Sequence, residues 1–100
     1  MASTYDIVKD AKKKKLIIKA VYDGRPREMC PHEIGTKDGV QRALFFQFGG
    51  LTSKGPVQQP GEWKCMDIDR LSRVTAEPGT WHTGDSHLHR QHCIDDVDHS

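Results

Sequence analysis

The 100-residue sequence predicts a mainly β fold, opened by one short helix and closed by a polar C-terminal tail. Three observations predict it. Stretches rich in β-branched and aromatic residues recur between turn signals from Leu16 to Ile68. A capped amphipathic stretch precedes them, and beyond Glu77-Pro78-Gly79 the chain loses periodicity. The length allows one small domain with a core. Hydrophobic content of 35% and a mean hydropathy of −0.70 predict a modest core with long polar ends, some of it poorly ordered. The expected boundaries are a domain over 1–80 and a His-rich acidic tail over 81–100, partly disordered or helical.

Residues 4–14 read as the helix. Ser3 or Thr4 caps it, Asp6 suits its first turn, and Ile7, Val8 and Ala11 form a narrow apolar stripe with Tyr5 beside it. The lysines at 12–15 complement a helix C-terminus; the alternative is a phosphate-contacting patch continued by Lys19, Arg25 and Arg27.

Leu16 to Tyr22 is the first expected strand, and Asp23-Gly24 the two-residue turn that returns it, because both positions tolerate positive φ. The second strand, Arg27 to Ile34, carries cations beside the apolar first one. Gly35 to Gly39 is a turn-rich connector to a third strand, Val40 to Phe48. There Val40, Leu44, Phe46 and Phe48 share one face with Arg42, and Phe45 lies on the other. Aromatics on both faces predict a central strand, with its phenylalanines in the core; base stacking by Phe45 is the sharper reading.

Residues 49–61 hold four glycines and two prolines and read as a loop. Trp63 to Ile68 gives a fourth strand. The three-residue spacing of Ile68, Leu71 and Val74 then suits a helical turn before, or in place of, a final short strand.

The net charge of +1 conceals a division at Thr75. Residues 1–75 hold 14 Lys+Arg against 9 Asp+Glu (+5), and residues 76–100 hold 1 against 5 (−4). A basic body concentrates polyanions around itself, while an acidic tail shields it or keeps it soluble. No apolar run approaches the roughly 20 residues of a membrane-spanning helix, and the start lacks the apolar stretch of a signal peptide. A cytoplasmic protein without a membrane partner is therefore expected. Three cysteines, Cys30, Cys65 and Cys93, are an odd number, which predicts reduced thiols; Cys30 and Cys65 read as small buried hydrophobes.

Three segments, taken in order, carry a resemblance: IKAVYDGRPREMCPHEIG at 18–35, RALFFQF at 42–48 and WKCMDIDRLSRV at 63–74. Over about residues 5–76 the chain resembles the WYL domain. The family's naming triplet is replaced by Ala43-Leu44-Phe45-Phe46, and the helix-turn-helix of its transcription regulators is missing, so a stand-alone module is expected. The resemblance implies a small Src-homology-3-like or Sm-like β-barrel of about five antiparallel strands. It also implies binding of nucleic acid, commonly single-stranded, or of an anionic regulatory ligand, on a basic surface. Carried over by motif, that surface comprises Tyr22, Arg25, Arg27, His32 and Arg70. Arginine's planar donor fork suits phosphate or carboxylate, and an aromatic ring stacks on bases. Pairing of these arginines with Asp67, Asp69 or Glu28 within the protein is the structural alternative.

His82, His87, His89, His92 and Cys93 crowd the tail. Imidazole and thiolate are zinc ligands, but this spacing matches no established zinc motif. His87, His89, His92 and Cys93 are thus candidates for weak metal binding at most, the other reading being a surface helix or mobile tail. Nothing marks an oxyanion hole or an orienting third group for a Cys-His nucleophile. The expectation is a non-catalytic module without a cofactor; a protein-interaction or metabolite-sensing role is the alternative function.

Overall fold

The computed structural model describes residues 3–82 and 94–98. Helix α1 (Thr4–Lys14) is followed by strands β1 (Ile17–Tyr22), β2 (Arg25–Lys37), β3 (Val40–Thr52), β4 (Gly55–Pro56) and β5 (Glu62–Asp67). A 3-10 turn, η1 (Ile68–Arg70), leads into β6 (Leu71–Glu77), and a short β7 (Asp96–Val97) closes the order. Every pairing is antiparallel. The main path runs β5-β3-β2-β1-β6, with β4 added to the end of β3 and β7 to β2. Strands β5 and β6 lie at opposite edges of this sheet, yet only three residues of η1 join them. The sheet is accordingly strongly curled into a five-strand half-barrel, the small barrel-like architecture expected.

Local chemistry explains the elements. Ser3 caps α1 by accepting the Asp6 N–H at 3.1 Å, and Lys15 ends the helix in the left-handed region at φ 55°. Lys12, Lys13 and Lys14 fall in the last turn, where the helix dipole favours cations. The β1–β2 turn puts Asp23 at φ 53° and Gly24 at φ 74°, the paired positive values of a type I′ hairpin turn. Asp38 and Gly39 repeat that geometry at φ 52° and 81°, so the connector from Gly35 shrinks to two residues and the strands run on to them. The three-residue spacing at 68–74 resolves into η1 followed by a strand: the helical turn precedes β6 and does not replace it.

Alternation along the strands gives the sheet two apolar faces. The concave face holds Ile18, Met29, Ile34, Phe45 and Met66, closed by Val8 and Ala11 of α1. Phe45 is fully buried there, so the stacking role for it is corrected to core packing. Strand β3 is central, with β2 on one side and β5 on the other, which explains why it carries aromatics on both faces. The convex face holds Cys30, Leu44 and Phe46, with Trp63 paired opposite Phe46.

Residues 78–82 run as a strap across that convex face. Gly79 lies against the Ile17 side chain, which a Cβ would meet at 2.8 Å. The His82 N–H donates to Cys30 Sγ at 3.3 Å, and its ring stacks on Phe48 at 4.1 Å. The chain comes back at β7, which pairs with Gly35 and Thr36, while Asp98 accepts the Tyr5 hydroxyl at 2.7 Å and pairs with Lys9 at 3.2 Å. The described parts of the expected tail are thus packed on the sheet and on α1. Among the described residues no helix is long and apolar enough to cross a membrane.

The cysteines divide. Cys30 is a fully buried free thiol, as its apolar setting predicts. Cys65 is half-buried and disulfide-bonded, which corrects the expectation of a reduced thiol there.

Candidate anion-binding site

Four of the five residues singled out by sequence meet at the β1–β2 turn. Tyr22 ends β1 and points to the concave face, where it is 8% exposed. Its hydroxyl accepts the Asp67 N–H at 3.2 Å, tying the end of β1 to the start of η1. Two guanidiniums stand by its ring, Arg27 at 5.3 Å and Arg70 at 4.8 Å from the centroid. Both distances fall within cation–π range.

Arg27 is only 5% exposed. Opposite it across the strand pair is Ala20, a concave-face residue, so its side chain turns into the end of the half-barrel. It donates to Gln47 Oε1 at 3.3 Å and to the Tyr22 carbonyl at 3.3 Å, while its Nε has no partner. These acceptors are neutral. Burial lowers the guanidinium pKa from its ordinary value, and the Asp23 charge offsets part of that. Arginine nevertheless stays protonated at neutral pH. Gln47 is fully buried and is itself held by the Gly49 and Leu51 carbonyls at 3.0 and 3.1 Å. Nothing in the sequence marked Gln47 as Arg27's partner, since the two lie 20 residues apart.

Arg25 and Arg70 form the open part of the site. Arg25 Nη1 donates to the Asp23 carbonyl at 3.1 Å. Arg70, with 54% of its side chain exposed, pairs with the Asp23 carboxylate. Of the internal pairings anticipated, none takes these arginines: Asp67 pairs with Arg42 at 2.8 Å, and Glu28 with Lys19 at 3.7 Å. Two guanidiniums therefore flank one tyrosine ring with Arg25 at the adjacent turn, and among the described residues a single carboxylate, Asp23, binds any of the three, through Arg70.

His32 does not join this group. Five residues beyond Arg27 on β2, it lies under the strap, with the Trp63 and Trp81 rings each 5.0 Å away. Its Nε2 is 2.9 Å from the His82 carbonyl, which can only accept, so Nε2 carries the proton. Burial pushes the His32 pKa down, partly opposed by that hydrogen bond. The adjacent Pro31 carried the motif, but strand geometry sends His32 to the convex face, away from the arginines.

The candidate ligands His87, His89, His92 and Cys93 lie outside the described residues. Among the described residues no group of three or more His, Cys, Asp or Glu side chains is placed to hold a metal. Compared with known proteins, the chain matches no family model, no curated protein and no solved structure. The WYL resemblance thus rests on the order and spacing of the three segments alone.

Proposed function

We propose that the chain is a non-catalytic binding module that takes an anionic ligand, single-stranded nucleic acid foremost, at the β1–β2 turn. The observation that carries this reading is the charge imbalance there. Arg27 and Arg70 flank the Tyr22 ring and Arg25 stands at the turn beside them, while among the described residues one carboxylate, Asp23, is hydrogen-bonded to any of the three, through Arg70. A phosphate entering beside Arg25 and Arg70 replaces or shares the Asp23 contact and meets a planar donor fork from each. Arg27 acts from below: it adds positive potential and holds the strand ends, without itself reaching the ligand. The cytoplasmic location expected from the sequence belongs to the same reading.

The test is anisotropy titration of a labelled single-stranded oligonucleotide at low salt. Arg25→Ala and Arg70→Ala are each expected to weaken binding by about fivefold, the worth of roughly one charge-assisted contact in solvent. No binding at low salt, or binding indifferent to both substitutions, ends this reading.

A further inference from the structure

A second feature lies on the convex face, where β1, β2 and β6 meet. Two residues of β6, Arg73 and Val74, oppose the single Ala20 of β1, because the register passes from Lys19↔Thr75 to Val21↔Ser72. This is a β-bulge, and Arg73 occupies it at φ 51°. A left-handed first position in a bulge is ordinarily taken by glycine, since a Cβ there costs about 1–2 kcal/mol. Beside it lies a groove of ≈ 290 Å³, bordered by Lys19, Val21, Pro26, Glu28, Gly50 and Arg73. Gly50, at φ 85°, lets β3 pass close to β2 at the groove's end, since a Cβ would collide with the Pro26 carbonyl.

The charges are unequally used. Lys19 is held by Glu77 at 2.9 Å and by Glu28 at 3.7 Å. Arg73 is exposed and makes no hydrogen bond or ion pair among the described residues. A guanidinium held in a strained conformation, unpaired, beside an apolar wall of Val21 and Pro26, matches a ligand with one negative charge and an apolar body. Glu28 on the opposite border disfavours a dianion. We propose that this groove is a receptor for a carboxylate carrying an apolar group, with Arg73 as its anion-binding residue. Arg27 also lines this groove, but Arg25 and Arg70, the open arginines of the β1–β2 turn, lie outside it, and the proposal does not depend on their role.

Amide chemical-shift mapping of the full chain with phenylacetate tests this, with neutral phenylacetamide as the control. Saturable shifts are expected at Lys19, Val21, Glu28, Gly50 and Arg73, with phenylacetamide at least about tenfold weaker, the worth of one charged contact. The decisive variant is Arg73→Gly. Glycine adopts the bulge conformation without strain, so the variant is expected to melt no lower than the parent while losing phenylacetate binding by a similar factor. A short peptide ending in phenylalanine, compared with its C-terminal amide, identifies the source. Tighter binding of the free-acid peptide than of phenylacetate assigns the groove to protein C-termini, and weaker binding assigns it to small carboxylates; both support the carboxylate receptor. Equal binding of phenylacetamide, retained binding in Arg73→Gly, or shifts confined to Tyr22–Arg25 and Arg70 would each overturn the proposal. The last of these outcomes would leave the reading of the β1–β2 turn standing.

Discussion

Arg27 has a dual character that substitutions can separate. Its guanidinium satisfies Gln47 and the Tyr22 carbonyl while carrying a buried charge with no carboxylate bound to it. Truncation leaves both acceptors unpaired and a cavity beneath Tyr22, so Arg27→Ala is expected to cost about 3 kcal/mol in urea denaturation. Arg27→Met fills the volume and removes the desolvated charge, and is expected to cost less than about half as much. An equal cost for the two would mean that packing contributes nothing at this position. Cys30 gives a simpler case. It is fully buried, and burial pushes its thiol pKa up although the His82 N–H pulls the other way. Ellman's reagent should therefore leave Cys30 unmodified in the native protein and react with it only in denaturant.

Among the elements, the strap over 78–82 depends on a histidine. The folded state depresses the His32 pKa below its unfolded value near 6.5, so folding favours the neutral ring. That contribution is fully present above about pH 6.5 and is lost as the pH falls through the depressed folded value. Acidification from pH 7.5 towards 5, both approximate limits, is expected to lower the melting temperature and change the fluorescence of Trp63 and Trp81, which flank the ring. His32→Gln keeps a donor without the titration, and its melting temperature should respond less to pH over the same range. The β6 bulge shows the opposite relation of sequence to element. Ser72-Arg73-Val74 reads as part of a helical turn or of a final short strand, yet it is strand whose middle residue is left-handed, because β6 must bend to follow the curled sheet.

For the molecule as a whole, the basic body and acidic end are legible in the residue order, but their effect depends on where the charges stand. Strand β7 and Asp98 return to β2 and α1, so part of the acidic end sits at Lys9 and Tyr5 and away from the β1–β2 turn. Oligonucleotide affinity should therefore retain a salt dependence set by the two open arginines. The expected slope of log K against log salt is about −1.4, from about 0.7 for each phosphate neutralised on a single strand. A slope near zero, measured by the same titration across a salt series, would exclude phosphate contact at Arg25 and Arg70.

Helix α1, the four strands from Leu16 to Ile68 and the Asp23-Gly24 turn followed from local chemistry: a cap, alternation of side chains, and residues that tolerate positive φ. The shortening of the Gly35–Gly39 connector to Asp38-Gly39 and the strand pairing within the expected 49–61 loop did not. Tyr22, Arg25 and Arg27 lie within six residues of one another, and a hairpin turn brings them together without help from distant chain. Tertiary structure alone decided the rest. The curl of the sheet carried Arg70 to Asp23, turned Arg27 inward to Gln47 and sent His32 beneath the strap. It also forced the bulge that exposes Arg73. Local sequence determines which way a side chain alternates; closure of the sheet determines which of those directions ends in the core, against the strap or in water.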